Sequence, residues 1–229
     1  MAALSAAAAL TSTAQVFSVN MVGYINQTIP AGFGFTYLVN QLDNKVNGNT
    51  DNRLITLFPG PYPNGTTVVK GAGVNLVVAV FDSGIGNWGT ANDTPLNPGD
   101  GFIFGQVGGA PAIPITFVGE VHLQSAIPLK SGFNLVGSVI PQAGYLFVPA
   151  SAVQPGQTVL EFGIPTSDLE TFSSPLSGNL QVKQWNAGTQ NWGNSADPGP
   201  IVQVGQSFSY FIPANGVNRS WTRNFSVGP

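Results

Sequence analysis

The sequence predicts an all-β chain of two tandem sandwich-like units related by internal duplication. Three observations carry that reading: a composition crowded with turn formers and β-favouring residues, a repeat of about 100 residues, and the absence of any long run of helical period. The 229 residues are enough for one large β domain or two small ones with real cores. Gly (29) and Pro (18) punctuate a background of Val, Phe and Ile, the pattern of short strands joined by tight turns. Charged residues make up 7% of the chain, against roughly 25% in an ordinary soluble domain. Asn, Gln, Ser and Thr must therefore supply the polar surface, a composition suited to an extracellular setting.

Along the chain, residues 1–14 read as a signal-peptide-like leader. Ala2 to Leu10 are small and apolar, and Ser12-Thr13-Ala14 offers small residues where a signal peptidase reads, although no basic segment precedes them. The first β unit spans 15–121 and the second 122–229. Their strongest match runs without a gap between Leu76–Gly89 (LVVAVFDSGIGNWG) and Leu180–Gly193 (LQVKQWNAGTQNWG). Leu76, Val78, Gly84, Asn87 and Trp88 recur there as Leu180, Val182, Gly188, Asn191 and Trp192. Ile29-Pro30 followed by Gly32-Phe33 returns as Ile127-Pro128 followed by Gly132-Phe133, and Gly99 and Phe102 return as Gly205 and Phe208. Strands are expected over 33–38, 74–81 and 101–104, and over 133–139, 180–185 and 207–212. Each Trp is expected to open a return strand after its turn, and short helical turns are expected near 150–153 and 167–172.

One strand pattern occurs three times, near the start, in the middle and at the end. In the first copy Phe17, Val19, Met21 and Ile25 share one face with period two; in the last, Trp221, Phe225 and Val227 do. Arg223 interrupts that face and reads as an edge guard. The middle copy, 115–121, is expected to close the first unit and open the second. The terminal copies either complete sheets within their own molecule or add to a neighbour's sheet edge, giving head-to-tail assembly.

Catalytic equipment is sparse. His122 is the single histidine and shares a strand face with Glu120. There is no cysteine, and no G-x-S-x-G elbow accompanies the histidine. Glu120, Glu161 and Glu170 are the only glutamates, so paired-carboxylate chemistry has little to draw on. Asp43, Asn47, Asn49 and Asp51 alternate as oxygen ligands around a structural calcium can, without an EF-hand pattern; ordinary Asx-rich turns are the default reading, and no metal is assigned. Trp88 and Trp192 follow Asn in equivalent loops, either as sugar-stacking platforms or as core plugs. A net charge of -3 with 7 scattered basic residues excludes a nucleic-acid footprint, and no stretch approaches the ~20 apolar residues of a membrane span.

The opening Ser18-Val19-Asn20-Met21-Val22-Gly23-Tyr24-Ile25-Asn26, the following Pro-x-Gly-Phe and the closing Trp221-Thr222-Arg223-Asn224-Phe225 resemble exported, β-rich surface or secreted proteins of environmental bacteria. The resemblance implies export and a β fold and transfers no site residue. The expectation is thus a non-enzymatic extracellular or cell-surface structural protein without a cofactor, self-assembling into a homopolymer by terminal strand exchange. The alternative is a secreted carbohydrate-binding or adhesion module that takes polysaccharide on Trp88 and Trp192.

Overall fold

A computed structural model describes residues 21–72, 75–176 and 179–226; the leader, Phe17, Val19 and Val227 lie outside them. The fold is all-β, built from antiparallel sheets. Among the described residues no helix is long and apolar enough to cross a membrane.

The first half begins with β1 (Val22–Ile29), which Pro30 ends by lacking a ladder donor, and β2 (Gly34–Val39). The short β3 (Leu42–Asp43), β4 (Lys45–Val46) and β5 (Asn49–Thr50) follow. β4 and β5 are joined across Asn47-Gly48, both left-handed (φ 52 and 81) as a two-residue hairpin turn requires. After the single-turn helix α1 (Leu54–Leu57) come the hairpin β6 (Thr67–Ala72) and β7 (Asn75–Val80), then β8 (Gly101–Gln106) and β9 (Ile113–Val121). The second half runs β10 (Gln124–Leu129), β11 (Gly132–Gly137), β12 (Gly144–Tyr145), β13 (Thr171–Leu176), β14 (Asn179–Gln184), β15 (Ile201–Val202), β16 (Ser207–Ile212) and β17 (Arg219–Asn224).

Each half is organised on a four-stranded sheet, β2-β8-β6-β7 in the first and β11-β16-β13-β14 in the second. One face of the first sheet meets β1 and β9 over a core that includes Leu38, Phe58, Phe102, Phe104 and Phe117. In the second, Phe162, Phe172, Phe208, Tyr210 and Trp221 fill the equivalent space. Burying aromatic side chains at about 25 cal/mol per Å2 of apolar area is the main force closing each half.

Several expectations need correction. Trp88 opens no strand: the loop closes on the Asp82–Asn87 bridge and passes into a 3-10 turn at Gly89–Ala91. The turn over 167–169 is not helical, and Thr171 already starts β13; the expected turn near 150 is present as a 3-10 helix, Ala150–Ala152. The middle strand is not shared. β9 pairs with β1 and β3, and the second half opens on a separate strand, β10, paired with β17. The Gly-Phe landmark also shifts. Leu38 pairs with Phe102 and Val136 with Phe208, so Gly34-Phe35, not Gly32-Phe33, stands where Gly132-Phe133 does.

The halves meet through backbone. The Val39 amide donates to Gly205 O at 3.0 Å, and the Gly137 amide donates to Gly99 O at 3.1 Å. Glycine is required at this approach: a Cβ on Gly101 would lie 2.6 Å from Val136 N, and one on Gly137 2.6 Å from the Val39 side chain. Gln41, fully buried, clamps the seam. Its Nε2 donates to Ser138 O (2.8 Å) and Ile140 O (3.0 Å), and its Oε1 accepts from the Gly205 amide (2.6 Å).

Candidate functional site

The terminal strands are engaged within their own chain. β1 pairs with β9 over its whole length, with Ile25 opposite Phe117 and buried in the core, while Met21 accepts a bond from the Val121 amide at 2.9 Å. In β17 the Trp221 indole is fully buried and donates to Leu160 O at 2.8 Å. The half-buried Phe225 donates its amide to Leu123 O at 2.7 Å. Arg223 is no edge guard. It is buried at the seam and donates to Ser138 Oγ (2.8 Å) and Gln142 Oε1 (2.6 Å), with burial holding its pKa below the usual guanidinium range.

Both repeated tryptophans are core plugs. Trp88 donates its indole N–H to Phe58 O (2.8 Å) and meets Phe81 edge-on at 5.2 Å between centroids. Trp192 donates to Phe147 O (3.3 Å) and meets Trp185 edge-on at 5.2 Å. Buried at both positions, neither ring presents a face on which a sugar can stack, because the Asx-rich loop turns the indole inward to close the end of its sheet.

The oxygen residues near Asp43 do not converge on one point. Asp43 accepts from Asn52 Nδ2 (2.9 Å) and lies 3.0 Å from His122 Nε2. Asp51 accepts from Arg53 Nε and Nη2, both at 2.8 Å, and from Thr56 Oγ1; the Arg53 bonds hold its carboxyl well below the usual carboxylate range. Asn47 and Asn49 sit on the exposed β4–β5 hairpin. Among the described residues, no three His, Asp or Glu side chains gather as a metal would need.

His122 borders an open cleft of 410 Å3 between the halves, lined also by Asp43, Asn52, Gln124 and Ser125. Glu120 does not join it and pairs instead with Lys45 at 3.2 Å. An imidazole beside a carboxylate is the start of an acid–base device, and a triad-type site would add a hydroxyl nucleophile in hydrogen-bond contact. The Ser125 hydroxyl is buried without a partner and makes no bond to His122, so the arrangement stops at a pair.

The outer edges of the two large sheets differ in polarity. β7 ends the first sheet and β14 the second. On β7, Leu76, Val77, Val78 and Val80 are 57%, 42%, 57% and 50% exposed. On β14, Leu180 and Val182 are 65% and 54% exposed, but Lys183 and Gln184 share the strand, and Lys183 is ion-paired with Asp197. The signal was present in the aligned pair LVVAV and LQVKQ as a change of polarity at Val77/Gln181, Ala79/Lys183 and Val80/Gln184. No protein-family model matches the chain, and no curated protein or solved structure is significantly similar to it.

Proposed function

We propose that the chain is a non-enzymatic structural protein of the extracellular space or cell surface, built from two copies of a duplicated unit, that works by associating with copies of itself. One observation carries the reading: each large sheet ends in an edge strand with apolar side chains left exposed, and β7 bears no charge at all. Natural sheets blunt such edges with lysine, proline or a covering loop, because the unpaired backbone recruits another strand. The low charge and Asn/Thr-rich surface support an extracellular setting. The pairing of β1 with β9 and of β10 with β17 favours addition at a free edge over exchange of terminal strands, since exchange must first break one of those ladders. A polysaccharide role loses its two indole platforms to the cores.

Sedimentation velocity and negative-stain microscopy over a concentration series test this. Species larger than the 23.8 kDa monomer are expected to grow with concentration. A monomer up to the solubility limit overturns the reading.

A further inference from the structure

We propose that β7 is the self-association edge: two copies lay β7 antiparallel against β7 about a two-fold axis through Val78, joining two four-stranded sheets into one of eight strands. The inference rests on the self-associating reading above and assigns its contact.

The backbone sets which residues pair. In an antiparallel ladder, hydrogen-bonded residue pairs alternate with non-bonded ones. The Phe81 amide donates to Thr66 O at 2.8 Å, and the register continues Val80↔Thr67, Ala79↔Val68, Val78↔Val69, Val77↔Lys70 and Leu76↔Gly71. Phe81, Ala79 and Val77 thus turn their amides and carbonyls toward β6. Val80, Val78 and Leu76 turn theirs outward, and among the described residues no backbone bond outside the ladder involves them.

Three consecutive outward positions at a spacing of two form half of a ladder. Set against itself with Val78 opposite Val78, the strand places Leu76 opposite Val80 at both ends. Each opposed pair exchanges two N–H···O bonds, about six in all. The side chains of the same three residues lie on one sheet face, where facing apolar pairs stabilise the ladder.

The occupant is a second copy because the outward backbone positions are symmetric about Val78 and the strand brings no charge to the contact. Asn75–Val80 carries no ionisable group, so a two-fold contact brings no like charges together. The counterpart strand shows what blocks this contact. In β14 the same register places Lys183 and Gln181 at the positions of Ala79 and Val77, and a two-fold about Val182 sets each lysine directly beside the partner's edge. The contact is small beside the ~800 Å2 per partner of a standard interface, so the association is concentration-dependent rather than obligate.

Sedimentation velocity of Val78→Lys, Val78→Glu, their equimolar mixture and Val182→Lys, beside the unchanged protein, tests the assignment. Val78 is exposed, and circular dichroism melts confirm that each variant keeps the fold. The unchanged protein and Val182→Lys are expected to dimerise alike. Val78→Lys and Val78→Glu alone are expected to weaken association at least tenfold, and mixing them to restore it, since only a two-fold through residue 78 brings the opposite charges face to face. If the unchanged protein associates and Val78→Lys associates equally, the β7 assignment falls while self-association stands. Loss of association in Val182→Lys instead also overturns it. A monomer at every concentration overturns both.

Discussion

The two halves share a strand order and differ in what fills it. Where the first half has Thr66, Phe104, Ile113 and Phe117, the register of the second sets Glu170, Tyr210, Arg219 and Arg223. At these positions the first core carries no charge, and its buried polar groups are neutral, such as Asn40 bonded to Asn52 and to Leu96 O. The second encloses an ion network: Glu170, fully buried, accepts from Tyr210 Oη (2.7 Å) and the Thr166 amide (2.7 Å), and Arg219 Nη1 lies 2.9 Å from its Oε2. Arg219 also lies over the Phe162 and Tyr210 rings at 5.2 and 5.4 Å. Outside, the polarity difference has the same sign, with β7 apolar and β14 carrying Lys183 and Gln184. One scaffold thus tolerates an oily or a polar filling, and the oily half is the one left with an unguarded edge.

The largest effect expected of breaking this contrast is at Glu170. Glu170→Gln leaves the partly buried Arg219 without its countercharge and is expected to destabilise by about 3 kcal/mol in denaturant unfolding. Thr66→Ala, at the matching position, is expected to change stability by about 1 kcal/mol or less. Burial pushes the Glu170 pKa up, but the bonds from Tyr210 and Thr166 and the charge of Arg219 outweigh it, and the net shift is downward from 4.5. A depressed folded-state pKa means that the contribution is whole above 4.5 and drains as pH falls through the folded value. Acid is therefore expected to loosen the second half. Fluorescence reports it, because Trp185, Trp192 and Trp221 lie in that half and Trp88 alone in the first. In Glu170→Gln this acid step should vanish.

Next in size is the seam. Gln41→Leu strands the Ser138 carbonyl and the Gly205 amide, while the Ile140 carbonyl keeps its bonds from Ser138 Oγ and the Gln142 amide, and about 2 kcal/mol is expected from the two groups left unbonded. Because the clamp couples the halves, the unchanged protein is expected to unfold in one calorimetric transition and Gln41→Leu in two; a single unshifted transition in the variant would contradict that role.

Much of this was legible in the sequence where chemistry is local. The strands that open LVVAVFDSGIGNWG and LQVKQWNAGTQNWG each pair with the strand before them, Val80 with Thr67 and Gln184 with Thr171. Pairing over long separation was not legible. Nothing in a period of two says that Ile25 faces Phe117 rather than a neighbouring molecule. The sequence pattern does not mark β6 and β13, because Gly71 and Pro175 interrupt their apolar alternation. The slip at Gly32-Phe33 came from a tandem Gly-Phe-Gly-Phe, in which only the ladder distinguishes the first pair from the second. Glu170 and Arg219 lie 49 residues apart, and their contact exists only once the sheet has formed.

Amide hydrogen exchange on the unchanged protein tests the unequal edges most directly. With rising concentration, the Leu76, Val78 and Val80 amides are expected to gain protection while those of Leu180, Val182 and Gln184 keep exchanging fast. Equal protection on both strands, or none on β7 under conditions where the protein associates, would contradict the account.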